Sequence, residues 1–260
     1  SQPALRGVAS VFTIHNLRYR GPDELNDFLA QAIYYSDIVT TVSPTYAQEI
    51  LTREYGEGLE ALLLLRGEAL RGILNGLDEE LFNPRIDPAL ATQYDLGSVE
   101  DRELNRQALL RELNLPDEGG PILAMVTRLT EQKGVDLVLR ALPELIAAHA
   151  QLLVLGDGDA WLKQELNRLE GEYRSHVRLC ARFDEGLAQR IYAGCDMFLM
   201  PSRYEPCGLG QLIAMRYGAV PIGRRTGGLA DTILDVDEHP ETGTGFLFDE
   251  FSTVAFVSAF

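Results

Sequence analysis

Between Pro201 and Thr232 the chain reads PSRYEPCGLGQLIAMRYGAVPIGRRTGGLADT, which brings a carboxylate (Glu205), two glycine turns, two helix starts and the Arg224-Arg225 pair close together. A carboxylate accepts hydrogen bonds from vicinal hydroxyls. Glycine turns that open helices aim free backbone N–H groups and a positive dipole end outward. A helix opening at Gly208, with Leu209, and a second at Thr226-Gly227-Gly228 therefore suit a charged, hydroxyl-rich ligand, with glycine admitting it close to the main chain. The plain alternative for Glu205 is a helix-terminal dipole partner, and the two roles are compatible.

Further candidates stand at the ends of apolar runs. In TRLTEQKG, Arg128 offers a fork to phosphate oxygens and Lys133 a mobile point charge, although two surface cations on a loop would look the same. VLGDGDA, with Gly156 and Gly158, resembles a dinucleotide fingerprint only loosely; a helix start capped by Asp157 or Asp159 explains it. Phe183 could stack on a base or fill a core. His15 in FTIHN and Asn75 in ILNG also follow strand-like runs, with a structural histidine and an Asn-Gly turn as their alternatives.

Parallel β-sheet must position these residues. Strands are expected at Val8–Ile14, Ile38–Val42, Gly72–Leu74, Ile122–Val126, Leu152–Leu155, Val177–Cys180, Met197–Met200, Ala219–Ile222 and Phe246–Phe248. Helical patterns are expected at Asp27–Tyr35, Pro44–Glu54, Val135–Ala148, Ala160–Tyr173, Gly186–Gly194, Leu209–Tyr217 and Gly228–Leu234. Runs apolar on both faces, each followed by a helix, indicate a doubly wound α/β fold. Around FNPRIDP, a charged helical stretch and LPDEGGP, the alternation breaks, which divides the chain into a first Rossmann-like domain at 1–83, a linker at 84–118 and a second domain at 119–260. In such folds ligands sit beyond the carboxyl ends of the strands.

Bulk properties narrow the chemistry. The 260 residues carry a net charge of −16, a field that repels nucleic-acid phosphates and anionic lipid. A phosphate ligand must then be held by a few local cations and helix ends. Cys180, Cys195 and Cys207 form no metal-ligand or CxxC pattern, no apolar run is long enough to span a membrane, and a cytoplasmic setting is expected. Cys207 has a plain reading as a small buried residue. The chain opens on a buried-strand pattern and closes on an apolar helix-like one, so it reads as a piece of something longer.

HNLRYRG, VSPTYAQEI, GILNGLDEELFNP, TRLTEQKGVDLVL, PSRYEPCGLGQL and RRTGGLADT, in this order, resemble the bacterial glycogen (starch) synthase family. The resemblance runs through nearly the whole chain. It implies a GT-B enzyme of two Rossmann-like domains, the first incomplete, transferring glucose from ADP-glucose to the non-reducing end of an α-1,4-glucan with retention and with no metal or other cofactor. It implies that Arg128 and Lys133 meet the donor diphosphate, Glu205 the donor sugar, and Gly208 and Leu209 the helix start that follows. Thr226, Gly227 and Gly228 would lie near phosphates and glucose, His15 near the sugar and reaction centre, and Asn75 against the sugar. Phe183 falls where relatives often carry a tyrosine against adenine. Two departures stand out: Ile213 occupies the position of the second carboxylate that many related transferases carry, and a Lys-x-Gly-Gly loop before His15 is missing. On this reading the final helices are also cut short, and the piece alone would bind ADP weakly without transferring glucose.

Overall fold

The computed structural model describes residues 7–18 and 27–260, so Tyr19–Gly21 of the HNLRYRG motif lie outside the described residues. The described residues divide into two units. The first runs to Gly76 and recruits Tyr204–Cys207 and Thr226–Asp231; the second comprises Leu77–Arg203, Gly208–Arg225 and Thr232–Phe260.

The first unit is built on three parallel strands, β1 (Val11–Ile14), β2 (Ile38–Thr41) and β3 (Leu70–Gly72), in the order β1-β2-β3. Helices α1 (Phe28–Tyr35), α2 (Pro44–Glu49) and α3 (Glu60–Arg66) accompany them. Ile14, Ile33, Val39, Tyr46, Ile50 and Leu63 close the core. Ser43 and Pro44 explain where α2 starts: the serine hydroxyl accepts the Tyr46 N–H, and proline at the first turn lacks only a donor that the helix leaves unused. β1 does not follow the buried pattern expected of it. Among the described residues it is an edge strand, and Val11 is 64% exposed.

In the second unit six parallel strands, β4 (Ile122–Val126), β5 (Gln151–Leu155), β6 (Val177–Cys180), β7 (Met197–Met200), β8 (Val220–Arg224) and β9 (Phe246–Phe248), take the order β6-β5-β4-β7-β8-β9. Counted within the unit this is 3-2-1-4-5-6, the Rossmann order, with its switch point between β4 and β7. Helices α4 (Arg102–Glu112), α5 (Val135–Ala147), α6 (Ala160–Glu172), α7 (Glu185–Gly194), α8 (Gly210–Arg216), α9 (Gly227–Thr232) and α10 (Thr253–Ala259) complete the chain; α9 belongs mostly to the first unit. Every residue of β5 is buried, as a strand covered on both faces requires. The core joins β4 and β5 to α5, α6 and α10 through Leu123, Val154, Leu142, Leu166 and Phe256.

The stretch expected to be a linker at 84–118 lies within the second unit, and its charges are tied down. On α4, Arg106 pairs with Asp196 and donates to the Gly120 carbonyl, Arg102 donates to the Cys195 carbonyl, and Glu112 takes a two-pronged contact from Arg190. Upstream, the Tyr94 hydroxyl donates to the Tyr217 carbonyl at 2.8 Å and the Tyr217 hydroxyl to Asp87 at 2.5 Å. Burial, followed by Asp87, pushes the Tyr217 phenol up from its ordinary value, so it stays protonated and donating. A charge-rich composition suggested a solvated tether; the partners that make it a brace come from distant elements.

Tyr217→Phe removes the hydroxyl facing Asp87, which is only 3% exposed. The cost of a lost buried hydrogen bond is about 1–3 kcal/mol, so the thermal midpoint falls by roughly 3–10 °C. An unchanged midpoint in a melting experiment would show that the brace contributes nothing.

Candidate functional site

At the switch point of the second unit, two loops leave neighbouring strands and are stitched together. Gly134 has φ +70°, and a Cβ there would overlap the carbonyl oxygen of Pro201, so the residue must be glycine. The Arg203 N–H donates to the Gln132 carbonyl at 2.8 Å. The Arg203 guanidinium then forks onto Asp136, at 2.7 and 2.8 Å, also donates to the Glu131 carbonyl, and lies 4.1 Å over the Phe251 ring. Arg224 ties the same loop from β8 by donating to the Ser202 and Arg203 carbonyls. Burial opposes ionisation of Asp136, yet Arg203 and then Arg140 outweigh it and hold the carboxyl below its ordinary value.

Beside this junction the ends of β4, β5 and β6 enclose a cavity of about 510 Å³. That falls within the range of small-molecule sites. Val126, Leu155, Leu81, Phe82, Ala188 and Ile213 supply apolar wall, Arg128 a cation, and Asp157, Asp184 and Gln189 polar groups. Phe183 lines it too, at 86% exposure, so it is not a core residue. The Arg128 guanidinium donates to the Gln132 amide oxygen at 3.2 Å. Lys133 stands on the same β4–α5 connection, in the short 3-10 turn Glu131–Lys133, but is not among the residues lining the cavity; nor are Gly208 and Leu209. Sequence reasoning missed Leu81, Phe82, Asp157 and Tyr192 as lining residues. The aromatic of FNP was the available signal for Phe82; Tyr192 on α7 carried none. Ile213 presents an alkyl side chain in the wall.

The first unit gathers the other candidates. Glu205 is 4% exposed, and its carbonyl accepts the Gly228 N–H at 3.0 Å. Arg18 lies 5.2 Å over the ring of Tyr204, the neighbour of Glu205. The HNLR segment thus steadies the residue before Glu205, while His15 itself is exposed at the end of β1. Burial raises the Cys207 thiol above its ordinary value, with the neighbouring Asn75 acting in the opposite direction. Asn75, expected against a sugar, thus lies beside Cys207. Thr226 and Gly227 are buried, and both bond to Glu49 of α2.

Several glycines do something other than admit a ligand. A Cβ on Gly227, with φ +44°, would strike the Glu205 carbonyl, and one on Gly228 the Cys207 carbonyl. Gly156 and Gly158 lie equally close to the Thr127 and Leu129 carbonyls. At each of these positions a carbonyl of another segment takes the place a Cβ would need. Neither aspartate caps α6: Asp159 makes no side-chain cap, and Asp157 bonds to the Gly158 N–H and Lys163. The third helix start is displaced as well. Gly208 adopts φ +73°, so α8 begins at Gly210 rather than Gly208.

A Rossmann-ordered sheet with a cavity of this size at its carboxyl edge defines a doubly wound α/β unit, and its structural neighbours are glycosyltransferases of the GT-B class. Residues 120–260 match the model "Glycosyl transferases group 1", and residues 1–64 match "Starch synthase catalytic domain". The chain belongs to the glycosyl transferase group 1 family. It is similar to the glycogen synthase of Moorella thermoacetica (44% identity, 97% of this chain, 57% of the relative) and to that of Anoxybacillus flavithermus (45%, 94% and 56%). Among solved structures, the catalytic domain of starch synthase IV from Arabidopsis thaliana, bound to ADP and acarbose, superposes with a TM-score of 0.91 at 36% identity. That match covers 100% of this chain and 60% of the other. The chain thus spans just over half the length of the curated relatives it matches. The α/β class and the resemblance to glycogen synthases expected from the motifs are borne out.

Asp136 provides a pH test of the junction. Its folded-state pKa lies below the ordinary 3.8, so its ionised form contributes stability above about pH 4 and loses that contribution as pH falls through the depressed value. Thermal midpoints of wild type and Asp136→Asn should differ fully between about pH 5 and pH 7 and converge below about pH 4. A gap independent of pH would remove the charge pairing as the cause.

Proposed function

We propose that the protein represented by this chain is an ADP-glucose-dependent α-1,4-glucan glucosyltransferase, and that the second unit holds the nucleotide of the donor. The cavity at the ends of β4, β5 and β6 carries this reading: an apolar slot, a cation at Arg128 and an exposed aromatic at Phe183 match a base, a phosphate and a stacking face in kind. Support comes from the glycogen synthases it resembles and from a starch synthase structure containing ADP and acarbose, the latter pointing to a glucan acceptor.

Arg128 and Lys133 take the diphosphate, supplying local positive charge in a chain of net charge −16. Charge placed beforehand at the leaving group lowers the barrier to breaking the glycosidic bond, usually the largest single effect available. Glu205 accepts hydrogen bonds from donor-sugar hydroxyls, and the Thr226–Gly228 turn and the start of α8 at Gly208 and Leu209 complete the donor side. His15 serves the sugar near the reaction centre. Retention is explained by the acceptor hydroxyl attacking on the face from which the diphosphate departs, with Glu205 orienting the sugar rather than acting as nucleophile. Asn75 makes a further polar contact to the sugar. Three free, buried cysteines suit a reducing, cytoplasmic compartment.

Calorimetric titration with ADP and UDP tests the assignment. Lys133→Ala or Arg128→Ala should weaken ADP by about 10- to 100-fold, the loss expected of a charge-assisted hydrogen bond. Phe183→Ala should weaken it by about fivefold or more, the value of one base–aromatic stack. Unchanged ADP affinity in Lys133→Ala sinks the phosphate assignment, and tighter UDP than ADP binding redirects the reading to another nucleotide sugar.

A further inference from the structure

Helices α2 and α9 hold each other by a reciprocal exchange of carboxylates. Glu49, at the end of α2, accepts the Thr226 hydroxyl at 2.8 Å and the Gly227 N–H at 3.0 Å. In return Asp231, near the end of α9, accepts the Thr45 N–H at 3.0 Å and the Thr45 hydroxyl at 2.6 Å, at the start of α2. Each carboxylate thus satisfies donors in the opening turn of the other helix, where backbone N–H groups lack helical partners. The two halves are separated by 177 to 186 residues of chain. Both fall inside the first unit, because contacts assign Thr226–Asp231 there.

The held turn touches the candidate sugar carboxylate directly. Gly228 donates to the Glu205 carbonyl, and Gly227 and Gly228 lie so close to the Glu205 and Cys207 carbonyls that neither position has room for a Cβ. A displacement of the α9 start therefore cannot leave Glu205 where it is. We propose that Glu49 and Asp231 are positioning residues for Glu205, acting as one clasp through the Thr226–Gly228 turn. The functional consequence rests on Glu205 meeting the donor sugar; the clasp itself does not.

The reading separates sugar from nucleotide. Arg128 and Phe183 line the cavity of the second unit, whereas the clasp acts on the Thr226–Gly228 turn of the first unit and, through it, on Glu205. Hydrogen exchange and ligand titration of wild type, Glu49→Ala, Glu49→Gln, Asp231→Ala and the double alanine variant test it. In Glu49→Ala, exchange across 204–207 and 226–231 should rise about tenfold, with peptides of β4 and β5 unchanged. Affinity for ADP-glucose should fall about tenfold while that for ADP stays within about twofold. Glu49→Gln retains an acceptor oxygen and should restore most of both losses. The double variant should lose less than the sum of the two single losses, the mark of residues acting as a unit.

Unchanged exchange at 226–231 in Glu49→Ala overturns the clasp, as do equal losses for ADP-glucose and ADP or fully additive single variants. If wild type binds neither nucleotide, the donor reading fails and the exchange measurements alone decide the clasp. Should Glu49→Ala fail to fold, Glu49→Gln and Asp231→Ala carry the same comparison.

Discussion

The forked pairing of Arg203 with Asp136 is the interaction on which the second unit's chemistry depends. A parallel sheet delivers its loops to one edge, but it does not fix them. The β4–α5 loop carries both candidate phosphate cations, and the chain leaving β7 leads within two residues of Arg203 to Glu205. Arg203 holds the first loop from the second, through Asp136, the Glu131 carbonyl and its own N–H on Gln132. Arg224 then holds the Arg203 segment from β8. Two planar forks with charged or carbonyl acceptors make a stiffer joint than the same number of neutral contacts.

Glycine works here as a packing residue. At Gly134, Gly156, Gly227 and Gly228 a carbonyl oxygen of another segment occupies the place a Cβ would take. Such backbone-on-backbone approach lets loops from different strands share one layer, so a turn can be set by contacts on its inner side while its outer side faces a ligand. Charge is managed in the same local way. The chain is strongly acidic, yet many of its arginines are engaged by carboxylates: Arg203 by Asp136, Arg190 by Glu112, Arg178 by Glu170, Arg225 by Asp235. Arg128 donates to the amide oxygen of Gln132 on the same loop.

Strands and helices were largely legible because their periodicity is local. All nine expected strands are present, and six of them, β2, β4 to β7 and β9, match to within one residue at each end. Those with shifted ends met something the local pattern does not contain: β3 stops at Gly72, where a Cβ would collide with Ser43 and Pro44 at the turn into α2. The 84–118 region was misleading for a related reason. Proline, glycine and charge describe a tether and a brace equally well until the partners Asp196, Arg190 and Tyr217 are in place.

By itself the sequence determined the α/β class, the alternation of strand and helix, the family resemblance and the identity of the candidate chemical groups, since each is written in residue types at short spacing. Tertiary structure alone decided that Phe183 is exposed at a cavity completed by Leu81, Phe82 and Tyr192, and that Glu49 and Asp231 cross-cap two helices. Those relations join positions far apart in the chain. No local pattern encodes which distant carbonyl or carboxylate will arrive, because strand order and close backbone packing bring it there.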